Sequence, residues 1–188
     1  NTFDWGPVDV TDEEMSDGLV NQWAIKQLKR RHEKPFFLGV GYFRPHQPLF
    51  APRKYHQMFP PDKVQLPKVL ANDLADLGKV GRDYGLVAAT SGLHKTVVDY
   101  QQWKPAVSSY LACVTFVDTL LGRLLDALDQ GPYAENTWIV LWSDHGWHLG
   151  EKEHWGKATG WERASHVPLL IVPPRSAAPK GFQPGTRS

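Results

Sequence analysis

At 188 residues, with 41% hydrophobic and 22% charged side chains, the chain fits one ordinary globular domain, a size that buries about 70% of its unfolded surface. A formal net charge of +1 gives no electrostatic case for a nucleic-acid partner or an anionic membrane, and no apolar run approaches the length of a membrane span. The single cysteine, Cys113, excludes an intrachain disulfide and a multi-cysteine zinc site.

Residues 1–10 read as irregular, with Gly6-Pro7 as a turn. Thr11-Asp12-Glu13-Glu14 fits a capping box, and Ser16-Asp17 offers a second cap. Met15, Leu19, Trp23 and Leu28 fall near helical spacing, which predicts a helix that Lys34-Pro35 ends. The apolar run Phe36–Tyr42 predicts a buried strand. It breaks into Arg44-Pro45-His46-Gln47-Pro48, where two prolines pin the backbone around His46. Residues 48–105 form a long excursion punctuated by prolines, with a short helix at Asp73–Leu77 and loosening glycines at Gly78, Gly81 and Gly85; part of it is expected to line a substrate entrance. Pro105 opens the strongest predicted helix. Tyr110, Val114, Val117, Leu121, Leu124 and Leu128 form its apolar stripe, Asp118 and Arg123 lie off it, and Gly131-Pro132 stops it.

The run Thr137–Trp142 reads as a strand buried on both faces, with Trp138 and Trp142 in the core. It ends in the polar turn Ser143-Asp144-His145-Gly146, followed by His148, Glu151, Glu153, His154 and Lys157, and then by a third apolar run, Leu169–Val172. Helix, strand, excursion, helix, strand, loop and strand make an α/β fold with a mainly parallel sheet flanked by helices.

A carboxylate beside an imidazole at the carboxyl end of a strand stands where ligands bind in open α/β sheets. With the first two predicted strands as neighbours, His46 and the Asp144-His145 pair emerge on one edge, and Lys157 lies close enough to return to it. A metal, two imidazoles and an ammonium suit a tetrahedral oxyanion ester. The metal and lysine neutralise nonbridging oxygens, and His46 gives a proton to the leaving oxygen. Sulfate and phosphate esters are both served by that arrangement, and an Asp–His pair alone points to zinc or manganese. Arg44, His148 and His154 are expected behind the reacting groups.

Five blocks in order carry a resemblance: Lys34-Pro35-Phe36-Phe37-Leu38 with Arg44-Pro45-His46-Gln47-Pro48, then Ser143 through Glu151, Trp155-Gly156-Lys157, and His166-Val167-Pro168-Leu169-Leu170. Together they resemble the sulfatase family of the alkaline-phosphatase-like superfamily, nearest its iduronate-2-sulfatase type. The resemblance implies that Asp144 and His145 are ligands of a calcium ion (Ca2+), with Mn2+ or Zn2+ as the alternatives. It implies that His46 and Lys157 are catalytic and substrate-binding, contacting the sulfate group and its bridging oxygen. The implied substrate is a sulfated carbohydrate such as a glycosaminoglycan sugar, and the implied setting is extracytoplasmic: periplasmic, secreted or lysosomal.

The chain departs from the family in lacking a C-x-P-x-R or S-x-P-x-R signature, whose first residue becomes the formylglycine nucleophile, and in lacking the family's early pair of aspartates. With its opening on Asn1 and a Lys180–Ser188 ending that reads as an interrupted loop, residues 1–188 are expected to be the middle to C-terminal part of one catalytic domain. Its partner would be the remaining N-terminal part of that domain, and alone it is expected to be inactive. Two alternatives stand beside this reading. One is a phosphoester or phosphonate-ester hydrolase of the same superfamily. The other is a non-catalytic binder of sulfated glycans that stacks sugars on Trp147, Trp155 and Trp161.

Overall fold

The computed structural model describes residues 3–86 and 92–177; the expected loop at Lys180–Ser188 lies outside them. Strand β1 (Trp5–Val8) pairs in parallel with β2 (Leu49–Pro52), Trp5 opposite Leu49 and Val8 opposite Pro52. Between them come a 3-10 turn at Asp12–Glu14 and helix α1 (Ser16–Lys29). After β2 follow α2 (Arg53–His56), α3 (Lys79–Gly85), α4 (His94–Asp99) and the long α5 (Trp103–Asp129). The last third holds β3 (Ile139–Trp142), β4 (His148–Leu149), β5 (Trp155–Gly156), α6 (Glu162–Ser165) and β6 (Leu169–Val172). β3 pairs with β6 and β4 with β5, both antiparallel.

The core forms where α5 crosses α1, α2 and the β1–β2 pair. The helix buries Ala106, Ala112, Cys113, Phe116 and Leu120, a face turned from the predicted stripe, and leaves Val114 exposed. Small side chains let the helix approach β2 and α1 closely, a preference that a search for large apolar residues overlooks. Polar residues on α5 are satisfied locally: Ser109, Thr115 and Thr119 donate to the carbonyls of Pro105, Leu111 and Thr115, four residues back in each case. Buried amides and hydroxyls need such partners.

Three expectations are corrected. First, the capping box at Thr11 and Glu14 is present, but it caps the 3-10 turn, and α1 starts afresh at Ser16. Its buried face carries Asp17, Asn21, Ala24 and Leu28, while Leu19 and Trp23 face outward. Second, Phe36–Tyr42 is extended but joins no ladder among the described residues, and Phe37 is 91% exposed. The first parallel pairing is made instead by Trp5–Val8, where Gly6-Pro7 had suggested a turn. Proline is tolerated in a strand whose missing N–H faces no neighbour. Third, Asp73–Leu77 is a run of turns, and the helix forms just after it, as α3.

The β3–β6 ribbon is exposed on both faces, with Trp142 at 61%, so Trp138 and Trp142 are not core residues within this chain.

Asp12, only 1% exposed, ties these elements together. Its Oδ2 accepts from Lys54 Nζ (2.8 Å) and the Tyr55 hydroxyl (2.9 Å) on α2, and from Arg123 (2.6 Å) on α5. Arg123, which lies off the predicted stripe, is thus an inter-element contact. Burial pushes the Asp12 carboxyl up, but the hydrogen bonds from Lys54, Tyr55 and Arg123 together outweigh it and hold the group below its ordinary value. A depressed carboxyl stabilises the fold above its unfolded pKa, and that contribution is lost as pH falls through the acid range. Asp12→Asn should therefore lower stability at neutral pH by about 2–3 kcal/mol. Urea unfolding across pH should also show a shallower loss below about pH 4 than in the parent.

Candidate functional site

The turn after β3 is built for close approach. A Cβ on Gly146 would lie 2.1 Å from the Arg163 carbonyl oxygen, so only glycine fits. The Gly146 N–H donates to Ala164 O at 2.8 Å, and Ser143 Oγ to His145 O at 2.7 Å. The Asp-His-Gly triplet is thereby pressed against the segment that enters β6.

His145 Nδ1 lies 2.8 Å from Gly146 O. A carbonyl only accepts, so Nδ1 carries the proton and Nε2 presents its lone pair. Lys157 Nζ donates to that lone pair at 2.7 Å, and Asp144 Oδ2 stands 3.4 Å from it. Asp144 is otherwise open to solvent.

Lys157 returns to the turn because of a hairpin. β4 and β5 pair His148 with Gly156 and Leu149 with Trp155, and one further step in that register brings Lys157 opposite Trp147. The tight connection uses left-handed backbone at Gly150 (φ 129°), Lys152 (58°) and Glu153 (51°). Asp73 secures it, accepting from the Lys152 N–H and ammonium, each at 2.9 Å. The excursion expected to line a substrate entrance thus reaches this region through Asp73 and Gly85, which hold the hairpin.

His46 Nδ1 lies 2.7 Å from Gln47 O, so its Nε2 too is the free nitrogen. The His46 ring packs on Phe43 (centroids 4.7 Å) and on Trp147 (6.2 Å), and Trp147 meets the His145 ring at 6.4 Å. Trp147 therefore links the sequence-predicted residues: its ring meets that of His46 and that of His145, which in turn holds Lys157 and faces Asp144.

Asp144 and His145 alone are too few ligands for calcium, which takes six to eight oxygens. Among the described residues no group of three or more His, Cys, Asp or Glu is placed to hold a metal. The 3.4 Å spacing of Asp144 Oδ2 and His145 Nε2 nevertheless fits two neighbouring ligands of one cation. Cys113 lies wholly buried in α5, where burial pushes its thiol up to about 12, so it is no nucleophile.

His148 and His154 are structural. His148 donates from Nδ1 to Glu151 O (3.0 Å) and accepts at Nε2 from Thr159 (2.9 Å); His154 donates from Nδ1 to Gly85 O (2.7 Å). Trp155 is 1% exposed and stacks near His94, so it is not a sugar platform, and Trp147 is also buried. Of the three tryptophans considered for glycan stacking, only Trp161 is partly open. Asp17, whose carboxylate holds the loop before His46, is read in the sequence only as part of a cap; its signal was an acidic residue four positions before Asn21 on the same helix.

Burial pushes His148 and His94 below the ordinary imidazole value. A histidine depressed in the fold stabilises it above the unfolded pKa and loses that contribution as pH falls below it. Urea stability should therefore decline below about pH 6.5, and less steeply in His148→Gln.

A model of the sulfatase family matches residues 2–186. A sulfatase from Formosa agariphila is 40% identical over 181 residues, covering 95% of this chain and 34% of its own length. Iduronate 2-sulfatase from Homo sapiens is 35% identical, with 92% of this chain and 34% of its own length covered. In fold, a phosphonate monoester hydrolase from Silicibacter pomeroyi superposes with a TM-score of 0.76 at 28% identity, over 96% of this chain and 36% of that one. The chain spans about a third of the length of these relatives.

Proposed function

The chain belongs to the sulfatase family of the alkaline-phosphatase-like superfamily, and from that premise we propose that it carries part of the active site of a sulfuric ester hydrolase. The substrate class proposed is a sulfated sugar, nearest the type of the human iduronate 2-sulfatase. One observation carries the reading: Lys157 Nζ, His145 Nε2 and Asp144 Oδ2 converge, and Trp147 meets both the His145 ring and the His46 ring.

Lys157 binds a nonbridging sulfate oxygen and offsets its charge as the ester bond breaks. His46, held with Nδ1–H on a carbonyl, acts in its imidazolium form: it gives the Nε2 proton to the bridging oxygen as the sugar alcohol leaves and is left as the neutral Nδ1–H tautomer. Asp144 and His145 would hold a divalent cation, calcium before manganese or zinc. When bound, it supplies further positive charge to the sulfate oxygens. Lys157, which donates to His145 Nε2 in this structure, would have its ammonium free for substrate with His145 engaged as a ligand. The formylglycine nucleophile and the other metal ligands would come from the remaining N-terminal part of the same domain. The apolar β3–β6 ribbon, bare on both faces, suits the interior of a larger sheet that this part would complete. An extracytoplasmic setting is proposed from the same family likeness; among the described residues no helix is long and apolar enough to cross a membrane.

A second reading, hydrolysis of a phosphoester or phosphonate ester, is favoured by the likeness to the phosphonate monoester hydrolase. Rates for a matched aryl sulfate and aryl phosphate, with and without a chelator, separate the two in the full-length protein. The sulfatase reading expects sulfate to be preferred and chelation to abolish turnover, and preference for phosphate overturns it. Lys157→Ala should reduce kcat by about 100-fold or more, with the fold unchanged by circular dichroism. The purified 188-residue chain should show no turnover of either ester.

A further inference from the structure

The loop that carries His46 hangs from helix α1. Asp17 and Asn21 lie one turn apart on the buried face of that helix, and both reach the loop. The two carboxylate oxygens of Asp17 accept the backbone N–H groups of Phe43 (2.8 Å) and Arg44 (3.0 Å). Asn21 Oδ1 accepts the Tyr42 hydroxyl at 2.6 Å. Burial, with the Asp17 charge nearby, pushes that hydroxyl up to about 12, so it stays a donor. From the other side Arg44 Nε donates to Phe50 O at 2.8 Å, fastening the loop to β2. The His46 N–H then closes a turn on Phe43 O at 2.9 Å, so His46 is built directly on the residue whose amide Asp17 holds.

Asp17 is 2% exposed, and among the described residues no lysine, arginine or histidine forms an ion pair with it. Burying an ionised carboxylate against two amides is a costly way to pack a helix, and a similar-sized apolar side chain would suit packing alone better. Its geometry fits another task. Both oxygens are committed to consecutive peptide groups, which fixes two peptide planes within three residues of a histidine.

Resting on the reading that His46 acts on the ester, we propose that Asp17 is a positioning residue: by clamping the Phe43 and Arg44 amides it sets the place from which His46 meets the leaving oxygen. Asp17 touches no substrate, and its whole contribution to turnover passes through His46.

The test is a double-mutant cycle in the full-length enzyme, using Asp17→Asn, His46→Ala and the pair. Asp17→Asn keeps the shape but sets an amide NH2 against one of the two N–H groups. It should lower kcat by roughly 10- to 100-fold, the scale of a misplaced catalytic group, with KM within about threefold. The pH limb of kcat that His46→Ala abolishes should shift in Asp17→Asn. The pair should be no slower than His46→Ala alone, because contributions through one group do not multiply. Tyr42→Phe leaves the carboxylate in place and removes only the hydroxyl anchor. It should show a smaller loss with the same non-additivity, and it carries the test if Asp17→Asn does not fold. Multiplying losses beside a crippled His46→Ala overturn the positioning role and leave the His46 reading standing. Full activity in His46→Ala overturns the reading and the proposal together.

Discussion

Asp12 sits almost wholly out of water, and three donors meet on one of its oxygens, from residues 42, 43 and 111 positions away in sequence. An ionised carboxylate in that place is stable only when all its partners arrive, so the contact acts as a condition on the packing of distant segments. It fixes α2 and the latter part of α5 against the turn that leads into α1. Once α1 lies against α5, its polar face meets the loop after Tyr42, and β2 falls in beside β1. The position of His46 follows from this chain of contacts.

The other half of the site rests on short elements with little stability of their own. A two-residue ladder is a weak structure, and β4–β5 is held by its surroundings. Asp73 grips the turn, the Gly85 carbonyl accepts the His154 Nδ1–H, and Glu151 accepts the Leu149 N–H at 2.8 Å while facing Arg163 at 3.3 Å. The imidazoles of His148 and His154 stand 5.2 Å apart in a buried setting, each donating to a backbone carbonyl. These histidines lie close to Lys157 in sequence, yet their work is to hold the strand that delivers it.

The β3–β6 ribbon and the Phe36–Tyr42 run share a property: both are apolar, and both leave large side chains exposed, Trp142 and Phe37 among them. Read locally, each has the composition of a strand inside a sheet. Strand identity, however, needs a neighbour, since a strand's hydrogen bonds lie between chains of residues and not within one. β3 finds β6, whereas Phe36–Tyr42 finds none among the described residues. The same sequence character thus gives a paired strand in one place and an unpaired extension in the other.

Local chemistry was legible in the sequence wherever it depends on neighbours in the chain. The proline-flanked His46, the Asp144-His145-Gly146 turn, the long helix between them and the return of Lys157 could all be read from residue type and spacing, as could the α/β class; the sulfatase family came from the resemblance of whole motif blocks. The tertiary structure decided what depends on distant partners. It turned α1 to bury Asp17 and Asn21 instead of Leu19 and Trp23, and gave α5 a face of small residues. It moved the first parallel pairing to Trp5–Val8, and put Trp147 and Trp155 in the interior. The reason is physical: periodicity reports which side chains avoid water on average, but a buried carboxylate or a bare strand is settled only by which donor, or which neighbour, comes to meet it.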